Sequence, residues 1–179
     1  MSTIKYLVLL VGLVGFLSAC SEEPDPKAPV VLNPVASSQA LSYEASLAEG
    51  IDFKKPGYPS FLANVSGMHG HEDWGRWTDG PIAKFRFKQP LPSKFTLLIH
   101  AGAFGPNLGK PIIVRAGKLE KEFTFKDPVH KEVSLNFEGV IGTDTIEIVV
   151  PKPVRPKDID PKNGDDRLIG IGMDYLKIQ

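Results

Sequence analysis

The chain has 179 residues, 21 basic and 21 acidic side chains, 42% hydrophobic residues and a single cysteine. Balanced charge with no basic run argues against a nucleic-acid partner, because affinity for phosphate backbones depends on clustered lysine and arginine. One cysteine cannot form a disulfide within its own chain, and the apolar fraction is typical of a globular domain.

The amino terminus predicts a lipoprotein signal peptide over residues 1–19. One charge, Lys5, precedes an apolar run over residues 6–17, which is shorter than the roughly 20 residues of a membrane-spanning helix. The run closes in Leu-Ser-Ala-Cys, which resembles the lipobox of bacterial lipoproteins and implies a diacylglycerol on Cys20. Ser21, rather than aspartate, then implies sorting to the periplasmic face of the outer membrane. The alternative is an ordinary secretory signal with an incidental cysteine.

Residues 20–49 follow as a predicted Pro-rich tether with no periodic apolar face through about residue 40. Proline favours the extended polyproline II conformation at about 3.1 Å per residue, so twenty residues would reach up to about 60 Å. Ser42–Glu49 fits one or two helical turns that end at Gly50, or equally a continuation of the tether.

From residue 50 to residue 179 the pattern is of short strands broken by glycine, proline and asparagine. In one of them Ala83, Phe85 and Phe87 alternate with charged residues, as expected for a half-buried strand. Regular spacing of such strands favours an all-β domain, a single antiparallel β-sandwich that is jelly-roll-like and carbohydrate-binding-module-like. The predicted strands cover residues 61–65, 82–88, 95–103, 111–116, 121–125, 132–137, 145–150 and 169–178.

The densest cluster of polar and aromatic residues spans residues 68–80 and contains both tryptophans. Flat aromatic faces pack on the C–H faces of pyranose rings while polar groups bind the hydroxyls, so this cluster is a candidate sugar site. The structural alternative is that a tryptophan fills the end of the sandwich while Arg76 and Asp79 tie down a loop. The candidates here are Trp74, Arg76, Trp77 and Asp79.

Neither a metal nor a cofactor is predicted. His69 and His71 precede two acidic residues, but no third histidine and no domain cysteine stands at a recognised zinc spacing. The acidic stretch 158–167 resembles a calcium loop in composition only, which leaves a structural calcium at a turn open but rejects an EF-hand. No hydrolase elbow, phosphate-binding loop or nicotinamide fingerprint is present, so the sequence gives no positive support for an enzyme.

Several strings carry a family resemblance, among them Trp-Gly-Arg-Trp-Thr-Asp at 74–79, Ala-Phe-Gly-Pro-Asn at 103–107 and Asp-Asp-Arg-Leu-Ile-Gly at 165–170. Residues 50–178 resemble the C-terminal β domain of bacterial phosphoglycerol transferases that modify periplasmic glucans. In that family the chemistry resides in a separate metal-dependent domain. The resemblance therefore implies an accessory module and argues against transferase activity.

These observations predict a lipid-anchored envelope protein, not an enzyme, whose domain binds a glycan or glycolipid. The alternative is a protein-interaction module that positions a membrane enzyme of glucan or envelope synthesis, which predicts buried Trp74 and Trp77. Asn107, at a turn after a strand end, fits either a ligand contact or a structural role. The full set of candidate binding residues is Trp74, Arg76, Trp77, Asp79, Asn107, Asp166 and Arg167.

Overall fold

The computed structural model describes residues 41–179, which form two five-stranded antiparallel sheets with strands numbered in chain order. In spatial order, sheet 1 contains β4 (Leu62–Ser66), β6 (Ile82–Phe87), β11 (Thr145–Val149), β8 (Ile112–Ala116) and β9 (Leu119–Phe123). Sheet 2 contains β10 (Lys131–Glu138), β7 (Lys94–Ala103), β12 (Ile171–Ile178) and β2 (Ile51–Asp52), and β5 (Arg76–Trp77) also pairs with β12.

Three smaller elements complete the described chain. Strands β1 (Ser42–Tyr43) and β3 (Tyr58–Pro59) form a parallel pair. A 3₁₀ turn, Gly105–Asn107, follows β7, and the single-turn helix α1 covers Pro156–Ile159. Within residues 41–179, no helix is long and apolar enough to cross a membrane.

The core lies between the inner faces of the two sheets, as the alternating sequence pattern requires. In β6 the apolar residues Ala83, Phe85 and Phe87 are buried between exposed Lys84 and Arg86. Burying one large apolar side chain stabilises a fold by about 1.5–3 kcal/mol, so these faces drive the packing of the sheets. The predicted antiparallel β-sandwich is confirmed, and each of the eight predicted strands is present within two residues of its expected ends.

The predicted tether extends to residue 49, whereas residues 41–49 pack against the domain. Leu47 contacts the core, and its carbonyl accepts a hydrogen bond from the Ile178 N–H at 3.0 Å. One helical turn forms here, closed by the Gly50 N–H on the Ser46 carbonyl at 2.9 Å. Side-chain hydrogen bonds between Ser46 and Glu49 cap this turn. The predicted signal peptide, Cys20 and the earlier part of the tether lie outside the described residues.

Candidate functional site

Two glycines, Gly102 and Gly172, form a flat area on the outer face of sheet 2, which we call the glycine floor. Gly102 of β7 and Gly172 of β12 are register partners, and neither places a Cβ above the sheet. A Cβ on Gly172 would lie 2.8 Å from the Trp74 ring and 3.1 Å from the Trp77 ring. One on Gly102 would lie 2.3 Å from the His130 ring. Three rings therefore rest directly on strand backbone.

These rings belong to a continuous row of aromatic side chains, which we call the aromatic band. Each ring contacts the next with centroids 5.0–6.2 Å apart, and all of them are half-buried. Trp74 and Trp77 meet edge to face at 67°, a favourable geometry for aromatic pairs. In order along the row, the members are Phe104, Trp77, Trp74, His130, His100 and Tyr175.

An ionic cluster borders the band beside Trp74. The Trp74 indole N–H donates to Glu72 Oε2 at 3.0 Å, and Arg167 Nη1 donates to Glu72 Oε1 at 2.7 Å. Arg167 also binds the Asp165 carboxylate, 2.7 Å from Nη2. The Arg167 hydrogen bonds hold the pKa of Glu72 and that of Asp165 below their usual values, although partial burial opposes this. Both carboxylates are therefore ionised at neutral pH.

A second polar cluster lies among the histidines of the band. Asp174 is the extra residue of a β-bulge between Met173 and Tyr175 in β12. Its Oδ2 atom lies 3.1 Å from His100 Nδ1 and forms a close contact with His130 Nδ1. The bulge thus directs one carboxylate towards two imidazoles, one from β7 and one from the segment just before β10.

Tyr175 closes the band at its other end. Its ring stacks on His100 with an interplanar angle of 21°, and its hydroxyl donates to the Glu132 carboxylate. This hydrogen bond, together with partial burial, raises the pKa of Tyr175 to about 12. Lys177 Nζ lies 4.6 Å from the centre of the same ring. The phenol is therefore protonated and fixed in position at neutral pH.

Two of the predicted site residues, Arg76 and Asn107, lie in the interior. Arg76 is 6% exposed and donates to the carbonyls of Lys55 at 2.8 Å and Gly57 at 3.0 Å. The Asn107 amide donates to the Phe104 carbonyl at 3.0 Å and accepts from a backbone N–H at 2.9 Å. Both side chains satisfy part-buried backbone groups, which is the arrangement expected of a structural role.

The remaining predicted residues separate into two groups. Glu72 joins Trp74 to Arg167, and Trp77 packs against Trp74. The Asp79 carboxylate lies 3.5 Å from His69 Nε2 rather than beside Arg76. Asp166 pairs with Lys157 at 3.1 Å on the exposed surface. Of the two loop histidines, His71 is exposed and His69 lies beside Asp79.

Sequence reasoning missed most of the band, although one signal for it is present. The alternation of inward and outward side chains along β7 places His100 and Gly102 on its outward face. Phe104, two residues further on, extends the same row of outward positions. His130 and Asp174 join them only through the pairing of β7 with β10 and β12. Because these residues are far apart in the sequence, no local motif contains the cluster.

A family profile described as "Domain of unknown function (DUF7024)" matches residues 36–179. The chain belongs to this family. The matched range includes β1 and the helical turn at Ser46, in agreement with their packing on the DUF7024 domain.

Known proteins similar to this DUF7024 chain include the Phosphoglycerol transferase I proteins of Escherichia coli (strain SMS-3-5) and Shigella boydii serotype 18. Each is 35% identical over 134 residues, which cover 73% of this chain and 17% of the relative. The predicted resemblance to the C-terminal domain of phosphoglycerol transferases is thereby confirmed. This chain spans less than a fifth of the length of these relatives.

A solved structure, "BiXyn10A CBM1 APO", superposes on the DUF7024 chain with a TM-score of 0.42 and 14% sequence identity. The superposition covers 72% of this chain and 94% of that chain.

Proposed function

We propose that this DUF7024 protein is a non-catalytic glycan-binding module of the bacterial cell envelope, held at a membrane by a lipid on Cys20. The observation that carries the proposal is the aromatic band on the outer face of sheet 2. A row of half-buried rings offers several stacking surfaces for the apolar faces of sugars. Its length favours an extended oligosaccharide over a single small molecule.

The ionic cluster beside Trp74 supplies the polar half of such a site. Each Glu72 oxygen accepts one hydrogen bond from the protein, and a carboxylate oxygen has room for a second. Sugar hydroxyls can donate to these free positions. Because Arg167 and the Trp74 indole already hold Glu72, little side-chain entropy remains to be lost when a ligand binds.

The charge balance favours an uncharged ligand. With 21 basic and 21 acidic residues there is no net field to attract a polyanion, so recognition depends on local shape and polarity. The resemblance to a domain of glucan-modifying transferases supports a glucan as the first ligand to test. Neutral peptidoglycan fragments and lipopolysaccharide sugars are the next candidates.

Both tryptophans of the chain lie in the band, so intrinsic fluorescence is a direct readout of binding. The full chain in detergent is titrated with glucan oligosaccharides, peptidoglycan fragments and lipopolysaccharide sugars, and affinities are confirmed by calorimetry. We expect saturable binding to at least one class and a loss of tenfold or more on Trp74→Ala or Trp77→Ala.

The matched control is Phe61→Ala, which removes a half-buried aromatic ring that stacks on Phe87, outside the band. We expect this variant to bind like the wild type. The proposal fails if no ligand class gives saturable binding, or if Trp77→Ala binds as tightly as the wild type.

A second candidate is a protein-interaction module that positions a membrane enzyme of glucan or envelope synthesis. Its supporting observation is that a domain similar to this one lies within the much longer phosphoglycerol transferase I polypeptides. That candidate predicts buried tryptophans, whereas Trp74 and Trp77 are only partly buried, so part of each ring stays open to a ligand. Specific capture of a transferase by the lipidated chain, without any sugar binding, would support the second candidate instead.

A further inference from the structure

We infer that His100, His130 and Asp174 form a binding site for a divalent transition-metal ion, with zinc as the best match. One ligand atom from each residue lies within 4.8 Å of the other two. The three come from β7, from the segment just before β10 and from the bulge in β12. The sequence predicted no metal site because no local spacing joins these positions.

The distance between His100 and Asp174 suits a tetrahedral ion. Zinc binds histidine nitrogen and carboxylate oxygen at about 2.0–2.2 Å, which puts neighbouring ligand atoms about 3.4 Å apart. His100 Nδ1 and Asp174 Oδ2 are 3.1 Å apart. His130 Nδ1 contacts the same oxygen more closely, so its ring has only a small distance to move when an ion enters.

The His100 nitrogen is the second observation that points to a ligand. His100 Nδ1 is a buried atom that makes no hydrogen bond, although it lies beside the Asp174 carboxylate. Buried polar atoms in proteins nearly always have a partner, and a nitrogen without one has a reason to be explained. A metal ion between the imidazole and the carboxylate would give this nitrogen its missing partner.

Neighbouring rings already fix the orientation of both imidazoles. Tyr175 stacks on His100 with centroids 5.2 Å apart, and its hydroxyl is tied to Glu132. Trp74 packs against His130 at 80°, with centroids 5.6 Å apart. Metal affinity rises when surrounding groups hold the ligands in place, and the aromatic band does so here.

The ligand set also selects among metals. Two imidazoles and one carboxylate suit zinc and its transition-metal neighbours, whereas calcium and magnesium prefer sites built of oxygen. Three protein ligands leave a fourth position for water or an exogenous ligand. All three side chains are partly exposed. The metal site does not depend on glycan binding.

The test is calorimetric titration of the full chain with zinc chloride in detergent. We expect one saturable equivalent of zinc, with affinity reduced tenfold or more by His100→Ala, His130→Ala and Asp174→Asn. Calcium and magnesium chloride should give no saturable signal. Cobalt in place of zinc should give the strong visible absorption of a tetrahedral ion, and the same three variants should abolish it.

Two controls separate this site from other possible ligands. His71→Ala removes an exposed histidine outside the cluster, and Cys20→Ser removes the one thiol of the chain. Both should bind zinc like the wild type. Asp174→Asn preserves side-chain shape, and thermal unfolding without metal verifies that it folds. The inference is overturned if zinc binding is not saturable, if His130→Ala keeps wild-type affinity, or if either control abolishes binding.

Discussion

Gly102 of β7 and Gly172 of β12 lie directly opposite each other at the centre of sheet 2. Each stands where any larger residue would project from the outer face of the sheet into an aromatic ring. The pair therefore sets the height of the aromatic band above the strands. Because the candidate sugar surface and the candidate metal ligands both rest on this floor, its two glycines are the most informative positions for mutation.

Gly102→Ala should destabilise the domain by about 1–3 kcal/mol, the usual cost of overpacking. The new Cβ would lie 2.3 Å from His130 Cδ2 and 3.1 Å from the Pro128 carbonyl oxygen, so the imidazole has to move. Denaturant unfolding measures the stability, and Trp74 emission should shift because Trp74 packs on His130.

Gly164→Ala is the matched control for Gly102→Ala. A Cβ at Gly164 would meet no atom within 4 Å, and its backbone does not require glycine. We expect a change within about 0.5 kcal/mol, typical of surface substitutions. Wild-type stability and unchanged emission in Gly102→Ala would contradict the proposed role of the glycine floor.

Arg76→Met should lower the free energy of unfolding by about 3 kcal/mol while leaving glycan affinity unchanged in the folded protein. The substitution removes the donor to the part-buried carbonyls of Lys55 and Gly57, and an unsatisfied buried group costs about 1–3 kcal/mol. Chemical denaturation and calorimetry measure the two effects separately.

The control for Arg76→Met is Arg86→Met, which removes an exposed arginine 3.5 Å from Asp144. An exposed ion pair contributes about 0–1 kcal/mol, so this variant should remain close to wild-type stability. If Arg76→Met kept full stability but lost the ligand, Arg76 would be a ligand contact and the structural role assigned to it would be wrong.

The long strands were predictable because their side chains alternate over five or more residues, as in β6 and β7. Strands β1, β2, β3 and β5 have two residues each, which is too short for alternation to be seen. These short strands are instead defined by their hydrogen bonds to adjacent strands. The capping pattern Ser46-Leu47-Ala48-Glu49 was readable in the sequence, but the docking of Leu47 on the core was not.

Only the part of the site with an unusual local composition could be predicted from the sequence. Both tryptophans stood out as aromatic residues in a polar segment, and they do lie in the band. The inward direction of Arg76 could not be predicted, because an arginine in a two-residue strand can equally face solvent or the backbone carbonyls of another segment. His100 and Asp174 meet through strand register and a bulge, and local sequence spacing encodes neither.

Acid should break the contact between Glu72 and Trp74 at an unusually low pH. Arg167 and the Trp74 indole both favour the ionised carboxylate, so the pKa of Glu72 lies below its usual 4.5 in the folded protein. The stability that Glu72 contributes is thus present above the unfolded-state pKa and is lost as pH falls through the lower folded-state value. Trp74 emission, recorded in a Trp77→Phe variant, should change with a midpoint below 4.5.

Glu72→Gln tests the assignment of that transition, since glutamine has a similar shape but no ionisation. The low-pH change in Trp74 emission should disappear in this variant. Asp165 also binds Arg167 and titrates in acid, but it makes no hydrogen bond to the indole. A midpoint at or above 4.5, or a transition that persists in Glu72→Gln, would show that another group controls the indole.

Cys20→Ser should release the protein from the membrane fraction. Removal of residues 1–19 takes away Lys5 and leaves 20 basic and 21 acidic side chains, so no net positive charge holds the protein on anionic lipid. Under the proposed function the acyl chains alone provide the anchor. One acyl chain binds only marginally, but each buried methylene adds about 0.8 kcal/mol, so several chains on one cysteine hold firmly. Mass spectrometry of the amino-terminal peptide should show the lipid on Cys20 of the wild type and none on the variant.

Ser21→Asp keeps the cysteine and should stay lipidated, but it should move from the outer to the inner membrane. An unmodified wild-type Cys20 would remove the anchor from the proposal while leaving the glycan and metal tests intact, because those depend on residues of sheet 2 and its flanking loops.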